Sequence, residues 1–407
     1  MRAPKGTSDL LPDQQSDRER VAHAAQRILE GAGYRRIETP TFEATELFAR
    51  GVGESTDIVQ KEMFTFDDGG GRSMTLRPEG TAPVCRAYME HGMHKLAQPV
   101  KLWYLSSFYR AEKPQAGRFR QFWQVGAEAI GSDDPAVDAE SIVLLQTLLD
   151  DLGSEGVRLR LGSLGTAETR ERYREHLIAY LRANEEWLPK DVVDRIDLNP
   201  LRAFDSDEAA PVMEGAPKLL DELSPDDAEH FAEVRRLLDA VDLEYEIDPT
   251  LVRGLDYYTR TVFEFTSDAL GAQSGVGGGG RYDGLVEMLG GKPTPGIGWA
   301  AGVERILLAA GERPTAEAPV DIFVAYAHPA LRADAFQLVY DARREGMSAQ
   351  MELAGRSLKG QRKQADRLRA RWLVVLDDAV VLKSLETGQE ITAPESVVAR
   401  IRREDQL

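Results

Sequence analysis

Hydrophobic positions change period several times along this 407-residue chain. The amphipathic stretch "SDRERVAHAAQRILE", opened by the capping-box pair Ser16 and Glu19 and closed by Gly31 and Gly33, predicts a first helix. "YRRIETP" then predicts an extended segment to Pro40, and helices mix with strands through residue 131. Within that region "MTLRPEGTAPVCRAYMEHG" (74–92) predicts a strand running into a helix. "FYRAEKPQAGRFRQFWQVGAEAIG" (108–131) predicts a hairpin whose turn is marked by Pro114 and Gly117. From about 132 to 245 the pattern is mostly helical and acidic, with a helical insertion expected over about 165–245. Strand and glycine patterns return at 246–310, and "GERPTAEAP" (311–319) has linker composition. Beyond it, strands and helices alternate in the order β-α-β-α-β-β-α, which implies a small α/β domain over 319–407 after a larger one over 1–315.

Composition narrows the class. Apolar content of 42% and charged content of 29% suit a soluble globular protein, and the apolar runs are far shorter than the ~20 residues a membrane helix needs. "MRAPKGTSDLLP" has no apolar signal region, and Cys85 is the single cysteine, which excludes an internal disulfide and a multi-cysteine zinc site. A reducing cytoplasm is the expected compartment. The net charge of −18 is unevenly placed: residues 319–407 hold 14 Lys/Arg against 13 Asp/Glu, so the excess acid lies before them. "RSLKGQRKQADRLRAR" (356–371) carries seven basic residues against Asp366 alone. That run is either a solvated helix face or the contact for an anionic partner.

The hairpin at 108–131 carries most of the chemistry. Period-two counting puts Arg118, Arg120, Phe122, Gln124, Gly126 and Glu128 on one face, and leaves Phe119, Trp123, Val125 and Ala127 for the core. Gly126 is expected to leave room for a small ligand resting on the sheet between Gln124 and Glu128. A solvent-facing strand surface is the plainer alternative. Arg110 suits a planar grip on phosphate or carboxylate, while Glu112 needs a donor such as an amino group, a metal ion or a surface cation. Glu79 and Thr81 stand at a strand-to-helix junction; Thr81 is equally an N-cap, and the Glu79 carboxylate suits an ammonium group. The glycine run "SGVGGGGRYDGLVEMLGG" (274–291) lacks the Gly-Lys-Ser/Thr ending of a phosphate loop. In "PGIGWAAGVERILLAAG" (295–311) glycines permit close backbone approach before a helix bearing Arg305, which by itself reads as a surface cation.

Taken together, these stretches resemble the class II aminoacyl-tRNA synthetases, and within them the histidyl-tRNA synthetase family. "RRIETPTFE" around Pro40 is similar to motif 1, the dimer element; 108–131 is similar to motif 2 and 296–306 to motif 3. "LVRGLDYYTRTVFEF" (251–265) and "GGGRYDGL" resemble two signatures of the histidine enzymes, and residues 319–407 resemble their α/β anticodon-binding domain. The resemblance implies an α/β (α+β) chain: an antiparallel-sheet catalytic domain with a helical insertion, plus the C-terminal α/β domain. It implies activation of L-histidine with ATP and transfer to tRNA(His), by a homodimer using Mg²⁺ on the nucleotide and no metal ligand from the protein. Arg110 and Arg253 would be catalytic, at the α-phosphate. Glu112, Arg118, Phe122 and Arg305 would complete the ATP site. Glu79, Thr81 and Gln124 would hold the α-amino group, Glu128 and Tyr258 would read the imidazole nitrogens, and Tyr257 would line the pocket. Three readings compete: a non-catalytic paralogue acting as a regulatory subunit of ATP phosphoribosyltransferase, a nucleic-acid-binding descendant of a synthetase, and another acyl-adenylating enzyme. The retained arginines, tyrosines and C-terminal domain argue against the first two.

Overall fold

The computed structural model describes residues 1–53, 56–113, 117–251, 254–271, 274–311, 320–392 and 397–404. It divides into two compact units, Met1–Arg313 and Pro314–Leu407.

The first unit opens with a helix over Pro12–Gly31, one turn earlier than the Ser16 capping box predicts. Pro12 supplies a preset helical φ, and the Gln14 side chain accepts the Leu11 N–H at 3.2 Å. "YRRIETP" contributes only a two-residue strand, β1 (Arg35–Arg36). A three-stranded sheet follows, made of β2 (Phe42–Ala44), β3 (Thr65–Asp67) and β4 (Ser73–Leu76) in the order β2-β4-β3. Next come β5 (Val100–Tyr109) and β6 (Gln121–Ile130), the expected hairpin, registered from Tyr109 opposite Gln121 to Val100 opposite Ile130. The main sheet is completed by β7 (Val157–Ser163), β8 (Glu246–Ile247), β9 (Thr259–Ser267), β10 (Gly275–Arg281) and β11 (Gly296–Gly302). Its order is β1-β5-β6-β11-β10-β9-β7-β8, antiparallel except for the two edge pairs. The glycine run is therefore strand β10, and β7 breaks the mostly helical reading of 132–245.

Alternation along the strands divides two cores. Trp103, Leu105, Val125, Ala127, Phe263 and Phe265 pack on one face beneath the helices Pro12–Gly31, Pro135–Asp151 and Pro225–Asp239. Leu102, Tyr104, Phe108, Val262 and Tyr282 lie on the other face, against the helix Thr81–Glu90 and the helix Ala167–Ala183 of the inserted region. Burying large side chains on both faces, at roughly 1.5–3 kcal/mol each, is what fixes the register.

The second unit has strands β12 (Ile322–Tyr326), β13 (Ala349–Met351), β14 (Trp372–Leu376), β15 (Val380–Ser384) and β16 (Glu390–Thr392), ordered β13-β12-β14-β15-β16. The short β16 is additional to the expected pattern; it pairs with β15 through Val381–Thr392 to Lys383–Glu390. The helices Arg332–Arg344 and Val397–Glu404 pack on one face of this sheet, and Leu358–Arg367, within the basic run, packs on the other.

Candidate active site

A pocket of about 580 Å³ opens on the second face of the main sheet. Its deep end is lined by Glu79, Thr81, Tyr104, Gln124, Tyr257 and Tyr258, with Glu128 directly behind them. Because Val125, Ala127 and Ala129 enter the helix-covered core, Gln124, Gly126 and Glu128 face the other way. Glu128 is fully buried, and its carboxylate accepts three hydroxyls: Thr81 at 2.8 Å, Tyr282 at 2.7 Å and Tyr104 at 3.3 Å. Its partner across the ladder is Gly298, where a Cβ would fall 1.7 Å from Glu128 Oε2. The carboxylate lies across backbone that only glycine leaves bare.

Gly126 has a different task from the one its sequence suggests. It pairs with Tyr104, and a Cβ there would lie 2.3 Å from the phenol carbon Cζ; one on Gly80 would lie 2.5 Å from the same atom. Tyr104 fills the space over Gly126, so the glycine makes room for a protein side chain instead of a ligand. Thr81 is likewise not an N-cap. Gly80 holds that position, the Glu79 carboxylate accepts the N–H groups of Thr81 at 2.7 Å and Ala82 at 3.1 Å, and the Thr81 hydroxyl turns to Glu128.

Of the two buried carboxylates, Glu79 lines this pocket end and Glu128 stands behind it, bonded to Thr81 and Tyr104. Burial pushes Glu128 up to about 8, outweighing its hydroxyl donors, and nearby Glu79 pushes the same way. Burial pushes Glu79 up to about 7 against the helix N–H groups and Arg110. Such carboxyls gain most from a ligand that brings cations or N–H donors. Tyr257 and Tyr258 close this end, with ring centroids 4.8 Å apart and Tyr257 edge-on to Tyr282 at 5.9 Å. The Gln124 amide oxygen is buried in the same pocket with no hydrogen-bond partner among the described residues. Arg253 lies outside the described residues.

The outer end is cationic. Arg110 donates to the Pro78 carbonyl at 2.9 Å and sits 5.4 Å over the Phe122 ring. Arg118 donates to Glu112 at 3.0 Å, so Glu112 meets a cation within its own loop. Arg305 is in the pocket and not on an outer helix surface; it donates to the Gly275 carbonyl, and burial followed by neighbouring Arg118 lowers its pKa. The strand parity stops at Gln121: Phe119 lines the pocket instead of the core, while Arg120 turns to the Glu112 carbonyl at 3.3 Å. Among the described residues no group of three or more His, Cys, Asp or Glu is placed to hold a metal ion.

Tyr104, Tyr282, Glu62 and Glu264 also line or support the pocket without having been singled out from the sequence. Glu62 closes a π-helical turn, Ile58–Glu62, and its carboxyl is raised by burial and by Glu112. Tyr282 had one sequence signal, its place in "GGGRYDGL"; Tyr104 had none, being one apolar letter in a continuous strand run. An acidic, phenol-lined end next to three arginines and an aromatic ring can hold an amino acid against a nucleotide.

Comparison with known proteins agrees with that chemistry. The profile of the family described as histidyl-tRNA synthetase matches residues 6–306. A histidine–tRNA ligase of Halothermothrix orenii is 44% identical over 402 residues, covering 96% of each chain. The structure of apo S. aureus histidyl-tRNA synthetase superposes with a TM-score of 0.83 at 33% identity, covering 99% of each chain. A Bacillus halodurans structure described as an ATP phosphoribosyltransferase regulatory subunit/histidyl-tRNA synthetase gives 0.68 at 23% identity, covering 92% of this chain and 98% of that one, and shows the fold alone.

Proposed function

This chain belongs to the histidyl-tRNA synthetase family, and from that premise we propose that it joins L-histidine to ATP as histidyl-adenylate and passes the histidyl group to tRNA(His). In the first step a carboxylate oxygen of histidine attacks the α-phosphorus and the bond to pyrophosphate breaks. In the second, a ribose hydroxyl at the tRNA 3′ end attacks the acyl carbon and AMP leaves.

The reading is carried by one juxtaposition: Glu79, Gln124 and Tyr258 line the same pocket as Arg110 and Phe122, and Glu128 lies directly behind that lining, bonded to Thr81 and Tyr104. A neutral imidazole offers one N–H and one lone pair; Glu128 accepts the first, and the Tyr258 hydroxyl donates to the second. Glu79 neutralises the α-ammonium, the orphaned Gln124 oxygen accepts one of its N–H groups, and the Thr81 hydroxyl holds the Glu128 carboxylate in place. Attack gathers negative charge between two anions, and Arg110, held on the Pro78 carbonyl and acting electrostatically on Glu79, is the cation proposed to meet it. Arg253 keeps the opposing role that the family resemblance implies. Phe122 stacks on adenine, Arg118 and Arg305 take the outer phosphates, and ion pairing to Arg118 keeps Glu112 available beside them. Mg²⁺ carried by the triphosphate would supply further positive charge there. We further propose a cytoplasmic homodimer whose contact includes the "RRIETPTFE" segment; the exposed pair Phe42 and Phe66, edge to face at 5.8 Å on the small sheet, supports it. Residues 319–407 are the proposed anticodon reader.

Histidine-dependent exchange of labelled pyrophosphate into ATP tests the activity; no exchange above a histidine-free control would refute it. Arg110→Ala is expected to slow single-turnover adenylation by roughly 10²–10³-fold with the fold intact. The regulatory-subunit alternative has less support, since relatives at 44% and 47% identity are histidine–tRNA ligases.

A further inference from the structure

A second cleft, of about 230 Å³, lies within the inserted helical region and shares Asp57 with the active-site pocket. Its floor is apolar, formed by Leu181, Val192 and Ile196, which are buried in the same core as the tyrosines of the active site. Its polar lining is Asp57, which pairs with Lys61 at 3.1 Å, together with Asp191, Arg195, Asn199 and Ser206. Arg195 and Asn199 stand one helical turn apart, with the Asn199 N–H bonded to the Arg195 carbonyl at 2.8 Å, so both side chains reach the same opening. Among the described residues neither the Arg195 guanidinium nor the Asn199 amide makes a side-chain hydrogen bond or ion pair, unlike the neighbouring Arg182, which is tied to Glu185 and Asp197.

The volume is below the ~300–1,000 Å³ that houses a drug-sized ligand, but suits one flat ring system. An apolar floor, an amide, carboxylates and one guanidinium match a single nucleotide. The floor takes the base, the amide and carboxylate take ring nitrogens and an exocyclic amino group, and the guanidinium takes the phosphate. The chain is strongly acidic, so a polyanion must be received at individual unspent cations, and Arg195 is one of these beside the active site. Resting on the proposed transfer reaction, we infer that this cleft seats the unpaired cytidine that precedes the terminal adenosine of the tRNA acceptor strand, and so aims the adenosine hydroxyl across Asp57 at the adenylate.

The test compares two steps in the full-length protein. Arg195→Ala and Asn199→Ala should leave histidine-dependent pyrophosphate exchange at the wild-type rate. Each should slow single-turnover transfer from preformed histidyl-adenylate by about tenfold or more. A tRNA with an abasic residue in place of that cytidine should show a similar loss with the native protein, and little further loss with Asn199→Ala. Transfer within about twofold of wild type in both variants would overturn the inference, as would additive losses for the abasic tRNA and Asn199→Ala. Exchange falling in step with transfer would also overturn it, by making the cleft part of adenylation. Absence of exchange in the wild-type protein would instead count against the proposed function itself.

Discussion

At the scale of single residues, the site depends on what glycines leave out. Gly298→Ala places a methyl group inside the space of Glu128 Oε2, so the carboxylate must leave its three hydroxyls or the strands must part. The expected result is a KM for histidine raised by about tenfold or more with a smaller change in the KM for ATP, since only the histidine end is disturbed. Equal changes in both constants would show a general collapse instead. The two raised carboxyls also make pH predictions whose signs are fixed. Glu79 at about 7 and Glu128 at about 8 lie above their ordinary 4.5, so folding favours their neutral forms. The stability they contribute is complete below pH 4.5 and is lost as pH rises through about 7 and then about 8. Thermal melts of the ligand-free protein should therefore decline across that window, and Glu128→Gln, which is neutral at every pH, should flatten the upper part. Parallel curves for the two proteins would refute the assignment. Histidine needs both groups ionised, so kcat/KM for histidine should climb through the same window, above the ordinary imidazole pKa of ~6.5.

At the scale of elements, the sheet is tied to its covering helices by a buried ion cluster. Arg281, at the end of β10, is fully buried and donates to Asp138 on the helix Pro135–Asp151 at 2.9 Å and to Asp283 at 2.8 Å. His230, from the helix Pro225–Asp239, meets the other oxygen of Asp138 at 2.8 Å. Removing the cation leaves carboxylates without compensation, so Arg281→Met should cost about 3–5 kcal/mol, read as a lowered denaturation midpoint. A midpoint unchanged from wild type would mean that water or rearrangement satisfies Asp138. The hairpin β5–β6 could be read from period-two alternation and a Pro/Gly turn because both are local. Phe119 and Arg120 could not, because parity holds only while the ladder lasts, and β6 starts at Gln121. The first helix starts before Ser16 for a similar reason: Ser16 and Glu19 match a capping pattern, but Pro12 and Gln14 match one a turn earlier and the chain folds there.

At the scale of the whole molecule, the two units imply separable steps. Deleting residues 319–407 should leave histidine-dependent exchange largely intact while transfer to tRNA falls by about two orders of magnitude or more, because phosphate and base contacts supply most of the tRNA affinity. Equal loss of both would make the second unit structural for the first. The sequence by itself determined the element types, the outward face of β6, and the residue kinds gathered in its quoted stretches, since period, turn chemistry and charge are properties of short segments. Tertiary structure alone decided that Tyr104 fills the hollow over Gly126, that Tyr282 reaches Glu128 from 154 positions along the chain, and that Arg305 turns into the pocket. It also decided that a second cleft shares Asp57 with the first. Those facts depend on which strand lies beside which, and the order β5-β6-β11-β10-β9 is set by long-range burial that no local pattern encodes.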